Sequence, residues 1–208
     1  MHTRNKPNSN LFEFMAKENS ATKWLETGYS VFAHEGPDGI QIERIARILA
    51  LNKSSFYHYF GTLEIFYEML VHYHHNKIDV VIREANEAEN FDPDYLDTIV
   101  KHKVTFMVQM QLSRHRNNTM FSKACSKVHE KIDQSIILLW NKYLGLTNND
   151  DVSLLYLGFV RDTFYARISF ENFDYHFLHE LASEAKRIVE EIQKGKISLR
   201  KFETVKAF

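Results

Sequence analysis

The stretch that most constrains this chain runs from Ile42 to Phe66, IERIARILALNKSSFYHYFGTLEIF. Ile42, Ile45 and Leu49 recur at helical spacing and give one short helix a single apolar face. Asn52 is a good N-cap for a second short helix, Lys53 to Phe60, because its side chain can accept from a backbone N–H left open in the first turn. Gly61-Thr62 then opens a longer helix with Glu64 in its first turn, where the helix dipole favours an anion. The second short helix opens with small and polar residues, Lys53, Ser54 and Ser55, followed by Tyr57 and His58. A helix with a dense core face and such an opening turn is one that the major groove of DNA can accept.

The rest of the chain is equally short of strand signals. Only 3 Pro and 7 Gly punctuate 208 residues, which favours long helices. The spacing predicts an all-α protein of about nine helices. The first spans Ser20 to Glu35, with Ala21, Trp24, Leu25, Gly28 and Phe32 on one face, and stops at Gly36-Pro37-Asp38-Gly39. The next two span Gln41–Leu49 and Lys53–Phe60, and the fourth reaches Glu89. Asp92-Pro93-Asp94 starts a fifth that runs to Arg114 with Leu96, Ile99, Val100, Lys103, Phe106, Met107 and Met110 in its stripe. Arg114 to Thr119 is a polar break, followed by a short sixth element and a seventh helix through Met120–Leu144. The cluster Asn148-Asn149-Asp150-Asp151 caps an eighth helix to Phe170, and the ninth spans Asp174–Lys194, stopped by Gly195. Residues 1–19 read as a polar arm with an apolar patch, Leu11, Phe12, Phe14 and Met15. It is either a frayed tail, an extra helical turn, or an arm that reaches a minor groove through Arg4 and Lys6. Lys196–Phe208 is a mixed tail.

Composition narrows the class. A 44% hydrophobic content belongs to a globular chain. The single cysteine, Cys125, cannot form an internal disulfide, which fits a reducing cytoplasm. The opening MHTRNKPNSN lacks the apolar core of a signal peptide, and no apolar run is long enough to span a bilayer. There is no G-x-S-x-G and no phosphate-binding glycine loop. Cys125 has only His129 near it, and Glu190-Glu191 fits a solvated helix face, so no enzyme is expected.

The segment around Ile45-Ala46, Ala50-Leu51, Asn52 and Tyr57-His58-Tyr59-Phe60 closely resembles the DNA-binding signature of TetR-family transcriptional regulators. The likeness extends upstream through Trp24-Leu25 and Phe32-Ala33 to Gly36, and covers roughly residues 22 to 68. It implies an N-terminal three-helix helix-turn-helix (HTH) domain over residues 1–68. A C-terminal helical bundle for ligand sensing and dimerisation then occupies 69–208. It implies that positions 53 to 58 dominate base reading and that Tyr57 hydrogen-bonds a phosphate. With Gln41 and Arg44 at the backbone or groove edge, the DNA-binding set is Gln41, Arg44, Lys53, Ser54, Ser55, Tyr57 and His58. The resemblance further implies a homodimer through about 150–194, whose two recognition helices lie about 34 Å apart and read a palindromic operator. The expected function is a repressor released from that operator when a small-molecule ligand moves the fourth helix.

Four positions depart from the family pattern. Ala50 stands where Gly is usual, at a cost of about 1 kcal/mol if that residue is left-handed. Gln41 replaces a Ser or Thr cap, Leu63 replaces a Lys that meets the backbone, and Glu43 sits where a cation is frequent. Residues 1–75 hold seven cations (Arg4, Lys6, Lys17, Lys23, Arg44, Arg47, Lys53). Against them stand eight carboxylates (Glu13, Glu18, Glu26, Glu35, Asp38, Glu43, Glu64, Glu68). DNA-binding domains draw much of their affinity from phosphate contacts. Weaker, more salt-sensitive binding is therefore expected. The alternative function is a ligand-binding or dimerisation protein whose HTH no longer grips DNA tightly.

Two further groups invite a reading. His72 and His75 share a helix face, with His74 and His102 nearby, but no HExxH or CxxC spacing accompanies them, so the expectation is a His-rich face and no metal. The aromatic and Met residues of the C-terminal part are either plain core or the wall of a cavity for an apolar ligand. The candidate ligand set is Phe106, Met110, Phe121, Trp140, Phe159 and Arg161. Arg161 and Asp162, inside an otherwise apolar helix, either pair with neighbours, anchor a ligand or face a partner subunit. No cofactor is expected, and the effector itself and the operator sequence are not legible.

Overall fold

The structure describes residues 9–146 and 150–195, and the side chains of 20–146 and 152–195. Expectations placed on Arg4 and Lys6, on the side chains of Leu11 to Met15, on the caps Asn148 to Asp151 and on the tail Lys196–Phe208 lie outside these. In the computed structural model the described residues form nine α-helices and no strand. They are α1 (Ser9–Glu35), α2 (Ile42–Leu49), α3 (Lys53–Phe60), α4 (Leu63–Glu87), α5 (Leu96–Lys101), α6 (Lys103–Arg114), α7 (Thr119–Leu144), α8 (Asp150–Arg167) and α9 (Tyr175–Gln193).

Three differences from the sequence reading go beyond a shift of a few residues at a helix end. Helix α1 starts at Ser9 and not Ser20, because no Gly or Pro follows Pro7 until Gly28. The single fifth helix is two, α5 and α6, broken at His102 (φ −101°, ψ 29°). Its ring bonds Glu84 at 2.9 Å, and the next residue, Lys103, donates to the Phe170 carbonyl at 2.5 Å. Both halves keep the apolar stripe, so periodicity alone conceals the break. Conversely, the expected sixth and seventh elements are one helix, capped by Asn118 Oδ1, which accepts from the N–H groups of Met120 (2.9 Å) and Phe121 (3.2 Å).

The described residues pack as two compact units, drawn from Met1–Lys77 with Met107–Cys125 and from Ile78–Phe106 with Ser126–Phe208. The expected division at 68/69 is a functional one, and packing does not decide it. In the first unit, Trp24, Phe32, Ile45, Phe56, Phe60, Phe66 and Leu70 are buried. Trp24 meets Phe56 edge-on at 5.2 Å between centroids, and Phe60 meets Phe66 at 5.0 Å, the geometry that aromatic quadrupoles favour. Gly28 admits this packing, since a Cβ there would stand 2.4 Å from Phe66 Cζ. A polar chain crosses the same unit. The Tyr29 hydroxyl lies 2.7 Å from His74 Nδ1, His74 Nε2 lies 2.9 Å from Gln109 Oε1, and Gln109 Nε2 donates to the Cys125 carbonyl at 3.1 Å. The Gln109 oxygen can only accept, so His74 is protonated on Nε2 and takes the Tyr29 proton on Nδ1. Complete burial pushes the imidazole down to about 4, and it stays neutral.

In the second unit, Ile78, Val81, Phe91, Tyr95, Trp140, Phe164 and Leu178 are buried. Helix α9 is capped by Asp174, whose side chain accepts from the Phe177 N–H at 2.9 Å.

Candidate nucleic-acid interface

The turn between α2 and α3 is a Schellman closure. Leu51 N–H donates to the Ala46 carbonyl (2.9 Å) and Ala50 N–H to that of Arg47 (3.2 Å). Ala50 is left-handed (φ 53°, ψ 37°), the only non-glycine residue with positive φ among those described. The departure from Gly is therefore real, and strain is held at the turn that sets the angle of α3. Asn52 caps α3 as expected, its Oδ1 accepting from Ser54 N–H at 3.0 Å.

Helix α3 splits cleanly into two faces. Phe56 and Phe60 are buried. Lys53, Ser54, Tyr57 and His58 are exposed and fall at i, i+1, i+4 and i+5, one continuous outward strip. Ser55 lies apart from that strip, half-buried, donating to the Asn52 carbonyl (2.6 Å) and facing Trp24 Nε1 (3.3 Å). Its hydroxyl serves the fold in this state. Gln41 is exposed and extended at the start of α2 and makes no capping bond.

Both cations of the set are paired within the chain. Lys53 Nζ makes a short ion pair with Glu43 and sits 5.9 Å from the centre of the Tyr57 ring. The pair lowers the Glu43 carboxyl and raises the Lys53 ammonium from their ordinary values. Arg44 forks onto Glu35, Nη1 to Oε2 at 2.5 Å and Nη2 to Oε1 at 2.6 Å, with matching shifts on both partners. Neither Glu35 nor Glu43 was identifiable as a partner from sequence spacing. Glu43 lies ten residues before Lys53, one helix turn of α2 facing the mouth of α3 across the Ala50 bend.

The second unit holds a partly open cavity of about 80 Å³. Of the six candidate ligand residues, Phe106, Trp140 and Arg161 line it. The other three do not line it. Met110 and Phe121 are core residues of the first unit, Phe121 packing on Phe32 at 5.5 Å and Tyr67 at 5.4 Å. Phe159 is 64% exposed on the outer side of α8. Helical periodicity places a residue on a stripe but does not say which of two packed neighbourhoods the stripe enters. The sequence reading missed Asp133, which receives Arg161 Nη1 at 2.5 and 2.7 Å in the cavity wall. Its signal was a carboxylate set among Ile132, Ile136 and Trp140 on α7. The pair answers one of the alternatives left open for Arg161.

Val152 and Leu155 accompany Phe159 at i, i+3 and i+7 on α8, 57% and 75% exposed. Among the histidines, His74 is in the core and His72 is exposed, and among the described residues no group of three or more His, Cys, Asp or Glu could hold a metal ion. No described helix is long and apolar enough to cross a membrane.

A capped recognition helix held by a tight turn against an aromatic core, within an all-helical chain, defines a helix-turn-helix DNA-binding regulator. Residues 25–64 match the profile of the bacterial regulatory proteins of the tetR family. The crystal structure of a transcriptional regulator (TerR/AcrR family) from Aquifex aeolicus VF5 has a similar fold. The TM-score is 0.56 at 17% identity, over 83% of this chain and 98% of that one. No curated protein matches the chain.

Proposed function

We propose that this regulator is a cytoplasmic repressor that binds a two-fold operator as a homodimer and leaves it when a small molecule fills the second unit's cavity. The reading rests on one observation above all. Lys53, Ser54, Tyr57 and His58 share one solvent-facing strip of a helix whose opposite side is locked by Phe56 and Phe60. Such a strip reads base edges, and Tyr57 and Lys53 meet phosphates.

The apolar stripe Val152, Leu155 and Phe159 on α8 supports a dimer through the segment 150–194, because a soluble surface rarely leaves large side chains in line. The cavity supports an effector. It is lined by residues of α5 to α9 and by Phe91 and Tyr95 just before them, with none from α4. An effector therefore acts on α4 through α7, where Lys131 bonds Asp79 at 2.8 Å. Helix α4 begins directly after the recognition helix, so its displacement changes the spacing of two α3 helices in a dimer.

A second reading, an HTH that no longer grips DNA, is favoured by the Lys53–Glu43 and Arg44–Glu35 pairs, which occupy the two cations the interface would use. Footprinting and fluorescence anisotropy on the DNA upstream of the chain's own gene separate the two. A palindromic footprint with saturable binding establishes the regulator. Negligible binding even at low salt establishes the second reading. Equal operator affinity with and without every bound small molecule would remove the switch and leave DNA binding intact.

A further inference from the structure

The cavity wall carries a chemical signature of its guest. Most of it is apolar, with Phe91, Phe106, Ile136, Leu157 and Phe164 among its residues. Within it, two hydrogen-bonding atoms shut off from water have no partner among the described residues: the indole Nε1 of Trp140 and Nε of Arg161. Trp140 is fully buried, packed on Phe91 at 4.9 Å and on Tyr156 at 6.0 Å. Both orphan atoms are donors and neither can accept. A buried donor without a partner is a standing cost, and a cavity beside it is where a partner can come from.

Charge narrows the guest further. Arg161 spends Nη1 on both oxygens of Asp133, so the ion pair among the described lining residues is already balanced. Burial raises the Asp133 carboxyl in spite of that arginine, a sign that this wall disfavours further negative charge. A carboxylate guest would have to share Arg161 with Asp133. An amine guest would bring more donors to a wall already in surplus of them.

We infer that the cavity takes an uncharged, largely apolar ring compound bearing an accepting oxygen, carbonyl or ether, which takes the indole N–H of Trp140. The inference rests on reading this cavity as a small-molecule site and on nothing about DNA. Arg161 Nε–H is the second donor available to the same oxygen or to another on the guest.

The test uses the full chain and four monocyclic probes of similar size: methyl benzoate, benzoate, benzylamine and ethylbenzene. Calorimetry at neutral pH should give methyl benzoate an affinity about 10-fold above benzoate and benzylamine, and about 5-fold above ethylbenzene, the range set by one buried hydrogen bond. In ¹⁵N spectra the Trp140 indole resonance should move downfield with methyl benzoate and stay with ethylbenzene. Trp140→Phe assigns it against Trp24. The same variant should bring the ester down to the affinity of ethylbenzene and leave ethylbenzene unchanged, which also reports that the cavity still folds. Benzoate or benzylamine binding as tightly as the ester overturns the inference. So does ester binding that leaves the Trp140 resonance unmoved, or binding by none of the four. Ester binding that does not release DNA leaves the inference standing and removes only the proposed switch.

Discussion

Glu35 and Glu43 set how much of this interface is electrostatically available, and removing their charges measures it. A free lysine or arginine that reaches a DNA phosphate displaces a condensed counterion. Each such contact contributes about 0.9 to the slope of log affinity against log salt. Lys53 and Arg44 are neutralised in advance by Glu43 and Glu35. When a phosphate takes their place, each carboxylate released must find a cation of its own, so the net release is close to nil. Glu43→Gln frees Lys53 alone and should raise affinity while steepening the slope by about 0.9. Between 50 and 200 mM salt that is about a 3.5-fold greater loss of affinity than in the parent. Glu35→Gln with Glu43→Gln frees both cations, steepens the slope by about 1.8, and gives about a 12-fold greater loss over the same interval. Fluorescence anisotropy on one labelled duplex across a salt series reads all three proteins, with circular dichroism melts to show that each is folded. Folded variants whose slopes equal the parent's would refute the reasoning, because Lys53 and Arg44 would then not be phosphate contacts.

Three other changes test the fold and its assembly. Ala50→Gly removes the penalty of a left-handed alanine at φ 53° and should stabilise the chain by about 0.5–1 kcal/mol, read as a rise in Tm. His74 holds its proton less tightly folded (about 4) than unfolded (about 6.5), so acid favours the unfolded chain. The contribution is constant above about pH 6.5 and declines as pH falls toward 4, roughly 2 kcal/mol between pH 7 and 5. Urea midpoints that fall no further in the parent than in His74→Gln would contradict this. Leu155→Glu, placed in the 75%-exposed position of the α8 stripe, should convert a dimer to a monomer in sedimentation without loss of helix content.

Much of the fold was legible because helices announce themselves locally. The cap Asn52 and the stops Gly36 and Gly195 lie where the residue types put them. The misreadings share a cause: each needed information from outside the helix. His102 breaks a stripe that is apolar on both sides of it, with its ring held by Glu84, 18 residues away. Met110 and Phe121 obey the same periodicity as Phe106 and Trp140 but pack in the other unit. Phe159 is as apolar as its neighbours and lies on the outside. Periodicity sorts residues by face, whereas the cavity is a property of five helices at once.

The interface shows the same limit in its charges, and here it reverses an expectation. Read along the chain, Glu43 near the recognition helix is a source of repulsion, and repulsion predicts binding that salt disturbs more. In three dimensions Glu43 reaches across the Ala50 turn to Lys53, and Glu35 at the end of α1 forks onto Arg44. Carboxylates that occupy cations suppress counterion release, and the parent should depend on salt less than its count of cations suggests. The near-balance of seven cations against eight carboxylates in residues 1–75 is then no deficit of binding potential. On the proposed function it describes an interface whose charges are held in reserve, where discrimination would fall to the uncharged members of the α3 strip. Ser54 and Tyr57 have no carboxylate to leave before they meet DNA. Their substitution should lower affinity by the same factor at every salt concentration, whereas substitution of Lys53 should cost little until Glu43 is removed with it.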